Sequence, residues 1–250
     1  MASIQDLIES TSDPGELNKF AALGEAWWDT SGPMAPLHKF NPVRVAFILA
    51  ETCRHFRRNP DGPKPLDGLT ILDVGCGGGL LAEPLARLGG QITAVDPLPA
   101  SIEAAKQHAE AAALSIDYRS VSLESLGLAG QRFDLVIASE VIEHVAEPAD
   151  FVAALAEVTR SGGLLAATTL NRTLASLAGA IVGAEYLLGW LPRGTHDWRR
   201  FLTPAELARL LRASGFEPRA LRGATYDGAR DVFRLGRDPS VNYLLAAART

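Results

Sequence analysis

Four glycines surround Cys76 in the segment Gly75-Cys76-Gly77-Gly78-Gly79, directly after the run Thr70-Ile71-Leu72-Asp73-Val74. An apolar run of that length suits a strand, and a glycine cluster at its end forces a tight turn. Leu80 to Leu88 then reads as a helix stopped by Gly89-Gly90, and Gln91 to Val95 as a second strand ending on Asp96. Gly75 suits the turn, and Gly77 allows a ligand to approach the backbone. The helix start beyond offers free N–H groups. An acid closing the second strand can accept both hydroxyls of a ribose. Loop and acid together predict a nucleoside-containing cofactor.

The alternation continues downstream. Ile102–Ala113 reads as a helix, Ile116–Val121 and Phe133–Ala138 as strands, and Pro148–Thr159 as a helix with Pro in its first turn. Ser161-Gly162-Gly163 turns the chain into a strand over Leu164–Thr169. Such alternation predicts an α/β fold, a parallel sheet covered on both faces. Thr203-Pro204-Ala205-Glu206 caps a helix running to Ala213, and Phe216–Leu221 and Tyr243–Ala248 read as two strands with a loop between. Upstream, Asp13-Pro14-Gly15-Glu16 looks like a helix start. Phe20, Leu23 and Trp27, with Trp28 adjoining, form an aromatic stripe expected to pack on the core. Ser31 to Pro42 reads as a loop, and Val43–Phe56 as a helix with Arg44 near its start.

A chain of 250 residues fits one α/β domain with additions. The expected parts are an N-terminal helical cap (1–65), a cofactor-binding core (66–170), an apolar insert (171–200) and the end of the sheet (201–250). The net charge of -5 argues against a nucleic-acid partner. Between Arg193 and Arg237, ten arginines stand against five acids, a local balance of +5 that leaves -10 elsewhere. That stretch is either a solvated surface or a basic face toward an anionic one. Cys53 and Cys76 are too few for a disulfide framework, which implies a cytosolic compartment. Met1 to Ser10 holds no Lys or Arg, unlike a signal or transit peptide.

The run Leu72-Asp73-Val74-Gly75-Cys76-Gly77-Gly78-Gly79 departs from the dinucleotide pattern G-x-G-x-x-G. It resembles motif I of class I S-adenosylmethionine (SAM) methyltransferases, and the Phe133–Ile137 strand and Ser161–Gly163 turn are similar to that family too. A longer set follows in order: Trp27-Trp28-Asp29, Pro36-Leu37-His38, Asn41-Pro42-Val43-Arg44, Glu140-Val141-Ile142-Glu143-His144, Thr169-Leu170-Asn171-Arg172, Gly183-Ala184-Glu185-Tyr186, Gly194-Thr195-His196-Asp197 and Val241-Asn242-Tyr243. Across nearly the whole chain this set resembles the ubiquinone-biosynthesis O-methyltransferases. The resemblance implies a Rossmann-like, seven-stranded, mostly parallel sheet with an antiparallel last strand, capped by N-terminal helices and the insert. It implies SAM as methyl donor and S-adenosylhomocysteine (SAH) as product. The acceptor would be a polyprenyl catechol early in the pathway and a demethylubiquinol late. Arg44, Gly75 and Asp96 match cofactor-binding positions, with Arg44 near the methionine carboxylate. Ser139 matches a further one, through backbone or packing because relatives carry Met there. Other enzymes of the same pathway are implied partners.

The chemistry sets its own demand. A phenol of pKa about 10 is neutral at pH 7, so its proton must be removed or its anion stabilised. Glu140, Glu143 and His144, on one face if this segment is helical, could hold a divalent cation such as Mg that a catechol then chelates. Related enzymes are likewise taken to need such a metal. Alternatively His144 is the general base alone, or the acids merely favour a helix start. His38 and His196 are lesser candidates, with structural hydrogen bonds the plainer reading. Leu174 to Pro192 carries one charge, Glu185, between Arg172 and Arg193. A membrane span there would strand the last part of the sheet across the bilayer. We therefore expect a partly helical lid that touches lipid through Leu174, Leu177, Ile181, Leu188 and Trp190, on a cytoplasmic protein peripherally bound to an anionic membrane. The rival functions are a SAM enzyme acting on another small phenol or on carbon, and a non-catalytic lipid-bound scaffold.

Overall fold

A computed structural model describes residues 24–177 and 197–250. The expected helix start at Asp13, the residues Phe20 and Leu23, His196, and the insert from Gly179 to Pro192 lie outside these described residues. Eight strands form one sheet in the order β3-β2-β1-β4-β5-β8-β6-β7. They are β1 (Thr70–Val74), β2 (Gln91–Val95), β3 (Asp117–Arg119), β4 (Phe133–Ser139), β5 (Thr159–Leu170), β6 (Phe216–Asp227), β7 (Val232–Gly236) and β8 (Asn242–Arg249). The pairs among β1 to β5 are parallel, and β8 runs antiparallel to both β5 and β6.

Alternation along the central strands divides the core in two. Ile71, Leu135, Ile137, Leu164, Ala166, Leu244 and Ala246 join one buried cluster, while their neighbours Leu72, Val136, Ala138, Leu165, Ala167 and Leu245 join the other. Successive strand side chains point to opposite faces, so strands apolar at every position must be covered twice. The first layer comes from α1 (Ala35–His55), α2 (Ala82–Arg87) and α3 (Pro99–Ala111). The second comes from α4 (Leu123–Leu128), α5 (Pro148–Val158) and α6 (Pro204–Ala213). As expected, Thr203 and Glu206 form a reciprocal capping box at the start of α6.

Three elements differ from expectation. The segment expected to be a loop up to Pro42 contains the first two turns of α1, which begins at Ala35. Pro36 is tolerated in the first turn, where its missing N–H would go unused, and Pro42 is carried inside the helix. Helix α4 was not anticipated; Ser122 caps it by accepting from the Ser125 N–H. The loop expected between the last two strands is a hairpin that adds β7 as an eighth strand, paired from Asp227↔Val232 to Gly223↔Gly236. Phe233 of β7 rests against Phe40 of α1, with ring centroids 5.0 Å apart, which fixes the sheet edge on that helix.

Leu135 is fully buried in β4 between β1 and β5. Truncating it to Ala should cost about 3 kcal/mol in denaturant titration, because both transfer energy and cavity energy are lost. Arg132→Ala, which breaks a 3.4 Å ion pair to Glu157 at the surface, should cost less than about 0.5 kcal/mol.

Candidate functional site

The strand order reverses at β1, whose neighbours are β2 and β4. In such sheets ligands bind at the carboxyl ends of the strands on either side of this point. A pocket lies there, lined by Trp27, Leu37, Arg44, Asp73, Gly75, Cys76, Leu80, Leu81, Ser139 and Glu140.

The glycine loop is anchored to the end of β2. The N–H groups of Gly75 and Cys76 donate to the Val95 carbonyl at 2.8 and 3.0 Å. The Gly77 N–H donates to Asp96 Oδ2 at 3.0 Å, and Leu98 N–H to Asp96 Oδ1 at 2.9 Å. Gly75, Gly77 and Gly79 all have positive φ, which a side chain would resist. A β-carbon on Gly75 would also stand 2.6 Å from Val141. Asp96 is buried, and the loss of hydration pushes its carboxyl up to about 6. Gly75 lies on the pocket wall, while Asp96 and Gly77, bonded to each other, are not among its lining residues.

Arg44 enters from α1. Its Nη1 donates to Ser139 Oγ at 3.0 Å and its Nη2 to Asn41 Oδ1 at 2.9 Å. Asn41 in turn donates to the Leu80 carbonyl at 2.6 Å, tying α1 to the segment after the glycine loop. Ser139 Oγ is 2.7 Å from Thr168 Oγ1, which donates to Glu140 Oε1 at 2.8 Å. Arg44, Ser139, Thr168 and Glu140 therefore form one hydrogen-bonded chain across α1, β4 and β5. The Ser139 hydroxyl is thereby engaged with Arg44 and Thr168. Burial depresses the Arg44 guanidinium, and the neighbouring Glu140 and Asp73 oppose that shift.

Asp73, Trp27 and Thr168 were not singled out as site residues from the sequence. Asp73 is buried at the end of β1, and loss of hydration pushes it up to about 7, against the pull of Arg44. The available signal was an acid inside an otherwise apolar strand. Arg44 Nε and Asp73 Oδ2 are enclosed without a hydrogen-bond partner. Buried polar atoms are costly in that state, so both point to a polar ligand. Cys76 is held as a neutral thiol, pushed up by burial and by Asp73 and Asp96.

The acidic segment does not form the expected helix face. Glu140 takes φ 57 immediately after β4, and only Ile142–His144 makes a short 3-10 turn. Glu140 accepts from Thr168 and Glu143 accepts from Thr169 at 2.7 Å. These threonines are successive residues of β5, and the two carboxylates they hold remain near enough for Glu143 to act on Glu140. Among the described residues, no group of three or more His, Cys, Asp or Glu side chains is placed to hold a metal ion. Glu140, Glu143 and His144 are nevertheless neighbours, with Glu143 raising and His144 lowering the Glu140 carboxyl. Only Glu140 lines the pocket; its carboxyl is raised by burial and by Glu143. His144 is half-buried beyond the pocket wall. His38 has a structural contact, its Nε2 lying 3.0 Å from the Trp27 carbonyl.

Comparison with known proteins agrees with this geometry. A family model described as a methyltransferase domain matches residues 72–167. The ubiquinone biosynthesis O-methyltransferase of Methylobacterium sp. (strain 4-46) is 52% identical over 237 residues, covering 95% of this chain and 95% of that protein. That of Cereibacter sphaeroides (strain ATCC 17023) is 46% identical over 241 residues, covering 96% and 98%. Among solved structures, magnesium protoporphyrin IX methyltransferase from Synechocystis PCC 6803 with bound SAH superposes with a TM-score of 0.61 at 20% identity, covering 89% of this chain and 87% of that one. A SAM-dependent methyltransferase from Thermotoga maritima, described as a possible histamine N-methyltransferase, gives 0.62 at 16%, covering 92% and 100%. These two structures speak for the fold, and the curated relatives for more: this chain belongs to the ubiquinone biosynthesis O-methyltransferase family of class I SAM-dependent methyltransferases.

Proposed function

We propose that this protein transfers a methyl group from SAM to a phenolic hydroxyl of a polyprenyl catechol and of a demethylubiquinol. The observation that carries the reading is the buried pocket at the switch point, where Arg44 and Asp73 hold unpartnered polar atoms beside the glycine loop. Bound there, SAM supplies a methyl already activated on a sulfonium. Arg44 suits a carboxylate, and Asp96, behind Gly77, has lone pairs left for ribose hydroxyls. Transfer breaks the C–S bond, forms a C–O bond and leaves the phenolic proton to be taken up. Glu140 and Asp73 are the two acids on the pocket wall; Asp73 suits the donor's ammonium, which leaves Glu140, and a carboxyl raised by burial is a better proton acceptor than an ordinary one. We assign it the proton. Another small phenol, or a carbon acceptor, is the rival substrate; labelled SAM offered to catechol, quinol and unrelated phenols separates them.

We further propose that the chain works at an anionic membrane surface, where a polyprenyl substrate resides. Leu174, at the start of the apolar insert, is 77% exposed, and the arginine-rich stretch follows. Among the described residues no helix is long and apolar enough to cross a membrane.

Glu140→Gln should lower methyl transfer about 100-fold in single-turnover assays, and His144→Ala less than tenfold. The reverse ranking moves the base to His144. A second test uses pH. Asp73 titrates at an ordinary 3.8 when unfolded and at about 7 when folded. Between these values the folded chain holds a proton that the unfolded chain has lost, so this contribution is full below about 4 and fades as pH rises to about 7. Asp96, pushed up to about 6, acts in the same direction. Denaturant midpoints of the ligand-free protein, compared with Asp73→Asn, should show the wild type losing more stability between pH 5 and 7.5. For the membrane, sedimentation with anionic vesicles should fall several-fold in Leu174→Asp while turnover of a tail-free catechol stays unchanged.

A further inference from the structure

Trp27 lies directly on the glycine loop. A β-carbon added to Gly77 would come within 2.3 Å of its ring, and one added to Gly78 within 2.4 Å of its own Cβ. The side chain is 8% exposed and shares the pocket wall with Arg44 and Asp73. Its Nε1 is enclosed without a hydrogen-bond partner, as are Arg44 Nε and Asp73 Oδ2. Two donors and one acceptor, all buried and unpartnered around one pocket, match an amino-acid zwitterion. A carboxylate takes from both donors, and an ammonium gives to the acid.

We propose that the Trp27 indole N–H, together with Arg44, binds the carboxylate of the donor's methionine part. This rests on the reading of the pocket as a SAM site. The neighbouring residues hold Trp27 in place. Trp28 Nε1 donates to the Gly78 carbonyl at 2.9 Å, and its ring stacks on His108 with centroids 3.4 Å apart and planes 4° from parallel. His108 Nδ1 is 2.6 Å from Oε1 of Glu83, which is 2% exposed, and Arg87 pairs with the same carboxylate at 3.3 Å. His38 holds the Trp27 carbonyl from the other side. Trp28 and His108 are therefore positioning residues: they fix the segment that carries the neighbouring Trp27 indole on the pocket wall. This assigns a role to the Trp-Trp pair that core packing alone leaves unexplained, because packing would not require a nitrogen without a partner.

The test compares two ligands on the full chain by calorimetry: SAH, and methylthioadenosine, which keeps the nucleoside and thioether but lacks the amino-acid end. Trp27→Phe keeps an aromatic ring and removes the N–H. It should weaken SAH about tenfold or more, the ordinary effect of losing a hydrogen bond to a charged group, and leave methylthioadenosine within twofold. His108→Ala should show the same selective loss at smaller size. Equal weakening of both ligands, or no weakening of SAH, overturns the proposal. A wild type that binds neither ligand overturns the SAM-site reading itself, and the two failures are thereby distinguished. If Trp27→Phe does not fold, the wild-type protein carries the test through its four tryptophan indole N–H resonances. One must move downfield with SAH and not with methylthioadenosine; a spectrum in which none does so overturns the proposal.

Discussion

The bonds from Gly77 and Leu98 N–H to the Asp96 carboxylate fix where the glycine loop can lie. An acid buried to 8% exposure is costly unless its oxygens are satisfied, and two backbone amides satisfy one lone pair on each. The loop is thereby clamped to the end of β2, with Gly75 and Cys76 adding their bonds to Val95. Positive φ at three of its glycines follows from this path. Once the loop is fixed, the pocket lies between the end of β1 and β4, with Gly75 on its wall.

The second constraint is that the pocket wall is assembled from distant parts. Arg44 and Ser139 are 95 residues apart in sequence and meet through a 3.0 Å hydrogen bond. Thr168, Glu140 and Asn41 extend that contact into a network spanning a helix and two strands. In a low-dielectric setting such a network orients its members and penalises any left unpaired. The unpaired atoms on the pocket-lining residues Arg44, Asp73 and Trp27 then act as the specification of a ligand. The two-layer core makes this affordable, since the strands that carry Asp73 and Ser139 are buried on both faces and cannot shift independently.

The strand–glycine–helix–strand–acid order was legible from residues alone because each step rests on local chemistry: apolar runs, glycine turns and a terminal acid. The hairpin at the sheet edge was not legible. Val232 to Gly236 is short, carries Arg234 at its centre and is largely exposed, and its place depends on Phe233 meeting Phe40 from a helix far earlier in the chain. Pro36 and Pro42 concealed the start of α1, since both are read as breakers unless the first turn is known. Arg44, Gly75 and Ser139 were placed on the pocket by motif, and the structure sets them on its wall. The helix face conditionally read into the Glu140–Glu143–His144 spacing does not form, because the backbone there turns through a left-handed residue and makes only a short 3-10 turn. Trp27 looked like a core residue because periodicity reports burial and says nothing about what a buried nitrogen faces.

The most direct measurement is a crystal structure grown with SAH. The account requires SAH to lie beside Gly75 between the ends of β1 and β4, with its ribose at Asp96 and its carboxylate at Arg44. Well-defined SAH bound anywhere else on the chain, with Asp96 and Arg44 out of its reach, would contradict it.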